Sequence, residues 1–293
     1  MTTRGSTEGT PASLGPDQPF SSQVRIDVCA KSHPGYHRSN NEDHFLVTRL
    51  GRTLQTLTTS LPAGDVPEYT EEVNYVMVIA DGMGGHAAGE VASRMAISAL
   101  VGLALDLPDW IFKVDEAHAL EIERRARMWM QEVGTMILER GRREPALHGM
   151  GTTLTAARSL GRDLMITHVG DSRAYLFRAG QLNRLTRDHT YAQLLVDTGL
   201  LAPADVADSR HRHILTNALG GSIEDVEVDT DRLQLEDGDR VLLCSDGLTD
   251  LVTDETITQL LSEAQNAREA CERLVQTALD AGGRDNVTVV VGI

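Results

Sequence analysis

Cysteine is scarce in this chain: Cys29, Cys244 and Cys271 are the only three in 293 residues. Widely spaced thiols in odd number exclude a disulfide framework and argue for a reducing, cytoplasmic setting. None begins a Cys-x5-Arg phosphate loop, because the residues six positions on are Gly35, Asp250 and Thr277. They read as core thiols, Cys29 and Cys244 in strands and Cys271 on the apolar face of a helix. Long basic runs are also missing, and 43 acids against 27 Lys and Arg give a net charge of -16. Nucleic acid and anionic membranes are therefore poor partners. No apolar run is expected to reach the roughly 18 residues that a spanning helix needs. The first 22 residues, rich in Ser, Thr, Gly and Pro, have neither the basic nor the apolar region of a signal peptide, so a disordered tail is expected over 1–22. A single domain over 23–293, working as a monomer, is the expected organisation, and there is no internal repeat. A hydrophobic fraction of 41% and a mean hydropathy of -0.21 fit a globular chain able to bury a large core.

What is present centres on Asn74 to Glu90, NYVMVIADGMGGHAAGE. An apolar run ends in Asp81, a loop with four glycines follows, and a helical pattern begins. Alone, Asp81 is as easily the start of a turn. The same construction recurs, however: LMITHVGD ends at Asp171, and VLLCSDG carries Asp246.

Along the chain, alternation predicts strands at 24–30, 44–50 and 75–80, with a loop or irregular hairpin over 51–73. Helices are expected at 88–105 and about 115–140. Closely spaced strands follow at 152–158, 164–169, 174–178 and 182–185. Residues 187–222 read as a mobile excursion with a short helix near 190–198, a flap-like segment. Strands at 226–233 and 240–245, an amphipathic helix at 266–281 and a closing strand after Asp285 complete the order. Strands in hairpin blocks with interspersed helices predict an α+β fold: two antiparallel sheets packed together and covered by helices.

Glu42, Asp43, Asp81, Asp171, Asp246 and Asp285 all lie at strand margins. Gathered without a cation, each close pair repels by roughly 4 kcal/mol at 4 Å and an effective dielectric near 20. Convergence therefore implies metal. Carboxylates with a peptide carbonyl and water favour Mg²⁺ or Mn²⁺, whereas zinc wants Cys and His at spacings this chain lacks. Two such ions sharing one carboxylate can hold a hydroxide, since coordination lowers the pKa of water from about 15.7 towards neutrality. Arg38 offers a planar two-pronged donor to phosphate, although on spacing alone a surface arginine without a role is the alternative. His86, in the glycine loop, is either a general acid for a leaving alkoxide or a structural histidine.

Eight segments carry a resemblance: RSNNED (38–43), VIADGMGGHAAGEVAS (78–93), MGTTLTA (150–156), HVGDSRAYL (168–176), LTRDHT (185–190), LTNALGG (215–221), LLCSDGLTDLV (242–252) and GRDNVTVVV (283–291). Together they closely resemble the bacterial branch of the metal-dependent Ser/Thr protein phosphatases of the protein phosphatase 2C type. The resemblance implies a four-layer αββα sandwich with a binuclear Mn²⁺/Mg²⁺ site at one edge. It implies that Asp81 bridges both ions, that the Gly82 carbonyl and Glu42 hold the second, and that Asp246 and Asp285 hold the first. Asp43 would order water, Asp171 with Asp246 would form a third-metal position, and Arg38 would bind substrate phosphate. His86 occupies the histidine position of the bacterial motif, while Met83 stands where many eukaryotic members have histidine.

The expected activity is hydrolysis of phosphoserine and phosphothreonine in proteins by a metal-bridging hydroxide, without a phosphoenzyme. A cognate Ser/Thr kinase is the partner that family habit implies. The competing functions are a non-catalytic phosphoprotein-binding scaffold of the same fold and a hydrolase of small phosphate monoesters.

Overall fold

A computed structural model describes residues 26–84, 88–106 and 116–293. The expected tail over 1–22 and His86 lie outside the described residues. In chain order the elements are β1 (Val28–His33), β2 (Asp43–Gln55), β3 (Tyr69–Met83), α1 (Ala88–Leu105), α2 (Glu116–Arg143), β4 (Gly151–Thr152), β5 (Leu154–Leu160), β6 (Asp163–Val169), β7 (Arg173–Arg178), β8 (Gln181–Arg184), α3 (Tyr191–Asp197), β9 (Leu219–Gly220), β10 (Asp229–Gln234), β11 (Arg240–Cys244), α4 (Asp246–Thr249), α5 (Asp254–Glu263), α6 (Ala267–Asp280) and β12 (Val287–Gly292).

The strands form two antiparallel sheets. One runs β1-β12-β11-β7-β8; the other runs β10-β6-β5-β3-β4-β9, with β2 on the free edge of β3. Side-chain alternation then distributes the apolar residues among three interfaces. Between the sheets, Met77, Ile79, Ala157 and Ile166 meet Ala174, Leu176, Leu243 and Val290. The odd-numbered valines of β12 and Leu242 and Cys244 of β11 face the stripe of α6 formed by Ala270, Cys271, Leu274 and Val275. On the far side, Val78, Leu154 and Val169 pack with Ala92 and Ala96 of α1 and with Val133 and Ile137 of α2. Three interfaces require four layers, so the expected αββα sandwich is the architecture observed. All six residues of β12 are buried, as its unbroken apolar run required.

Residues 51–73, expected as a loop or irregular hairpin, are the far part of a long hairpin: β2 and β3 pair from Asp43 opposite Asp81 out to Gln55 opposite Tyr69. Pro62, Gly64 and Pro67 signalled a break correctly, but they all fall in the 56–68 connection, and the flanking strands are polar because they project beyond the covered sheet. Cross-strand pairs Arg49–Glu71 and Arg52–Glu72 brace this ribbon. Residues 254–263, on which the sequence reading placed no element, form a helix, α5, capped by Thr253. One expectation is corrected: α1 is long and apolar enough by length and composition to cross a membrane, the one such helix among the described residues. Glu90 and Arg94 interrupt its apolar run, and its Ala88, Ala92 and Ala96 face is buried in the sandwich.

Candidate metal centre

Each acid reaches the site by a different local device. Asp43 begins β2 and lies directly opposite Asp81 near the end of β3. The main chain at Asp81 is held by its neighbours: its N–H donates to Thr153 Oγ1 at 3.0 Å, and its carbonyl accepts from Thr152 Oγ1 and from the Thr153 N–H, both at 2.8 Å. Asp171 follows β6 in the tight turn to β7, and Asp246 opens α4 directly after β11. Asp285 precedes β12. Asn286 beside it donates through Nδ2 to the carbonyls of Pro34 and Asn40, both at 2.9 Å, and accepts the Glu42 N–H at 2.7 Å. That one side chain fastens the 34–42 loop against the closing strand.

Glycine is required where α4 meets this strand. A Cβ at Gly247 would lie 1.9 Å from the carbonyl oxygen of Asn286. Gly247→Ala is expected to cost about 3 kcal/mol by overpacking, a fall of roughly 6–10 °C in melting temperature. Thermal denaturation followed by circular dichroism measures it, and an unchanged midpoint would mean that α4 moves freely away from Asn286.

Arg38, Glu42, Asp81, Gly82, Asp171, Asp246 and Asp285 line one cavity of about 1340 Å³. Asp43 is the exception among the predicted acids. It is 4% exposed and sits behind the cavity. One of its oxygens accepts from Ser245 Oγ at 2.7 Å, while Oδ1 has no hydrogen-bond partner among the described residues. His86 lies outside the described residues.

The electrostatics express the crowding. Burial, and then the charges of Asp43, Asp246, Asp171 and Asp285, hold the Asp81 carboxyl well above the usual carboxylate range. Asp171 is raised by burial and by Asp246. Asp43 is pushed up to about 7 by burial, against the hydrogen bond from Ser245. Burial also raises Glu42, with Arg38 opposing. Arg38 reaches Asp285 through Nη2 at 2.6 Å while its side chain stays 55% exposed.

These residues fit a divalent cation. The residues lining the cavity bring carboxylates and the backbone of Gly82 together, oxygen donors of the kind that hard cations take. Their mutual repulsion and the orphaned Asp43 oxygen are what a positive charge with its ordered water would relieve.

Sequence reasoning missed a second group. His213 lies 3.6 Å from Asp246 through Nδ1 and 3.4 Å from Asp250 through Nε2, and Arg212 lies 3.7 Å from Asp250. The adjacent carboxylate of Asp246, and then that of Asp250, raises the His213 pKa against burial. Asp250 stood one helical turn beyond Asp246 and was open to discovery by that spacing. His213 was not, because nothing in SRHRH tells which side chain turns inward.

A sequence model of protein phosphatase 2C matches residues 61–281. The chain belongs to the protein phosphatase 2C family. Among its relatives in that family, the serine/threonine protein phosphatase PstP of Mycobacterium tuberculosis is 44% identical over 218 residues, which cover 74% of this chain and 40% of the relative. The present chain thus spans less than half of that longer phosphatase. Protein phosphatase PhpP of Streptococcus pneumoniae is 32% identical over 271 residues, 91% of this chain and 96% of the relative. Among solved structures, the PstP catalytic domain in complex with two manganese ions superposes with a TM-score of 0.69 and 37% identity, over 91% of this chain and 97% of that one. The cavity acids thus sit within a fold that, in a protein phosphatase 2C relative, was crystallised with manganese.

Proposed function

We propose that this chain is a cytoplasmic Mn²⁺- or Mg²⁺-dependent phosphatase that removes phosphate from phosphoserine and phosphothreonine in proteins, acting as a monomer in a single domain over 23–293 opposite a cognate Ser/Thr kinase. The observation that carries this is convergence: acids from five separate stretches of chain meet in one cavity bordered by Arg38.

In this assignment Asp81, Asp246 and Asp285 would hold one ion, and Asp81, Glu42 and the Gly82 carbonyl would hold a second. Asp171 with Asp246 would offer a third position. Divalent ions held there supply Lewis acidity that makes water nucleophilic near neutral pH. The remaining work belongs to the chain. Asp43, buried behind Asp81 with one oxygen uncommitted, accepts a hydrogen bond from water and fixes its direction. Arg38 keeps one N–H on Asp285 and presents its others to phosphate oxygens, where developing negative charge strengthens the contact. His86 is assigned the proton that the leaving serine or threonine oxygen must receive.

Dephosphorylation of a phosphothreonine protein with Mn²⁺ is expected to fall at least about 100-fold when chelator is added; equal rates would remove the assignment. Arg38→Ala is expected to lower kcat/KM about 10- to 100-fold, as loss of a charge-assisted positioning contact does. Steady-state kinetics on the same substrate decides it.

A further inference from the structure

Beside the carboxylates already described, four arginines line the cavity: Arg38, Arg142 at the end of α2, Arg212 of the 187–222 excursion and Arg284 ahead of β12. In a chain of net charge -16, four arginines gathered at one cleft are a local feature and not a background property.

Their commitments differ. Arg38 and Arg212 face carboxylates within the cavity, Asp285 and Asp250 respectively. Arg142 pairs with Glu224, but both side chains are more than half exposed, and such a pair is worth about 0–1 kcal/mol. Arg284 is exposed and makes no ion pair among the described residues. Two guanidinium groups on different elements are thus left at the cleft mouth, able to take a carboxylate with two parallel N–H donors.

Resting on the phosphatase assignment above, we propose that the preferred substrates are phosphopeptides with acidic residues next to the phosphoresidue, and that Arg142 and Arg284 are the specificity-determining cations. The cavity's carboxylates repel such a peptide until divalent ions neutralise them, so the preference belongs to the cation-loaded protein. Local cationic potential at the mouth then favours encounter with anionic chains even though the molecule as a whole is acidic.

The test uses three phosphothreonine peptides identical except for flanking Glu, Gln or Lys, turned over by the full chain with saturating Mn²⁺ at low and high salt. The parent is expected to give a kcat/KM about fivefold higher for the Glu peptide than for the Lys peptide, from two exposed charge contacts, with the gap closing at high salt. The double variant Arg142→Glu, Arg284→Glu is expected to invert the order. The readout is the ratio between peptides within each protein, so a general loss of active molecules cancels. Equal kcat/KM for all three peptides in the parent, or an unchanged ratio in the double variant, overturns the proposal and leaves the phosphatase assignment standing. Failure to turn over any of the peptides removes both.

Discussion

Asp81→Asn is expected to do two opposite things: abolish Mn²⁺-dependent turnover and raise the melting temperature of the metal-free protein. Four other acids press on the Asp81 carboxyl, its pKa raised first by burial and then by Asp43, Asp246, Asp171 and Asp285. Removing its charge removes those repulsions, each of which reaches roughly 4 kcal/mol for a pair 4 Å apart at an effective dielectric near 20. Part of that is already relieved by proton uptake, so a net gain of about 2 kcal/mol is expected, or roughly 4–8 °C. Activity should fall by more than about 10³-fold, because the residue assigned to hold both ions is gone. Phosphopeptide turnover with Mn²⁺ and thermal denaturation in chelator measure the two effects. A lowered midpoint, or retained turnover, would place Asp81 outside the cation site.

The second large effect is on pH. In chelator, the protein is expected to lose stability as the pH rises from about 4 to about 7. Asp43 keeps its proton in the folded state up to about 7, whereas a carboxyl in the unfolded chain releases it near 3.9. Between those values the folded state binds more protons, so raising the pH favours unfolding. Asp81, Asp171 and Glu42 are shifted in the same direction. For Asp43 alone the interval corresponds to on the order of 4 kcal/mol. His168, buried and pushed down to about 4, acts oppositely and costs stability as the pH falls below about 6.5. Comparing the parent with Asp43→Asn separates the two, and the variant should show the flatter loss towards pH 7. Mn²⁺ at 100 times its Kd should add about 2.7 kcal/mol and suppress the dependence. If the chelated parent and Asp43→Asn had superimposable pH profiles, the buried carboxyl would not be carrying its proton in the folded state.

Much of this was legible before any coordinates. Helix α1 spans the range its apolar period gave, and the strands of the 150–185 block lie within a residue or two of their expected positions, because short turns punctuate strong alternation there. The acids were legible for a related reason: a carboxylate straight after an apolar strand is carried to a sheet end by the strand itself. The β2–β3 ribbon was hidden because an uncovered two-stranded arm needs no apolar face, so it leaves no hydrophobic period to read.

Chain order and residue type by themselves determined the layers, the strand-end acids and the family. Only tertiary structure decided that Asp43 withdraws behind the cavity, that His213 of the excursion reaches Asp246, and that Arg38, Arg142, Arg212 and Arg284 share one cleft. The reason is that strand periodicity is a local property, written in every second residue, whereas the facing of two side chains a hundred positions apart depends on how sheets and helices stack, which no short stretch encodes.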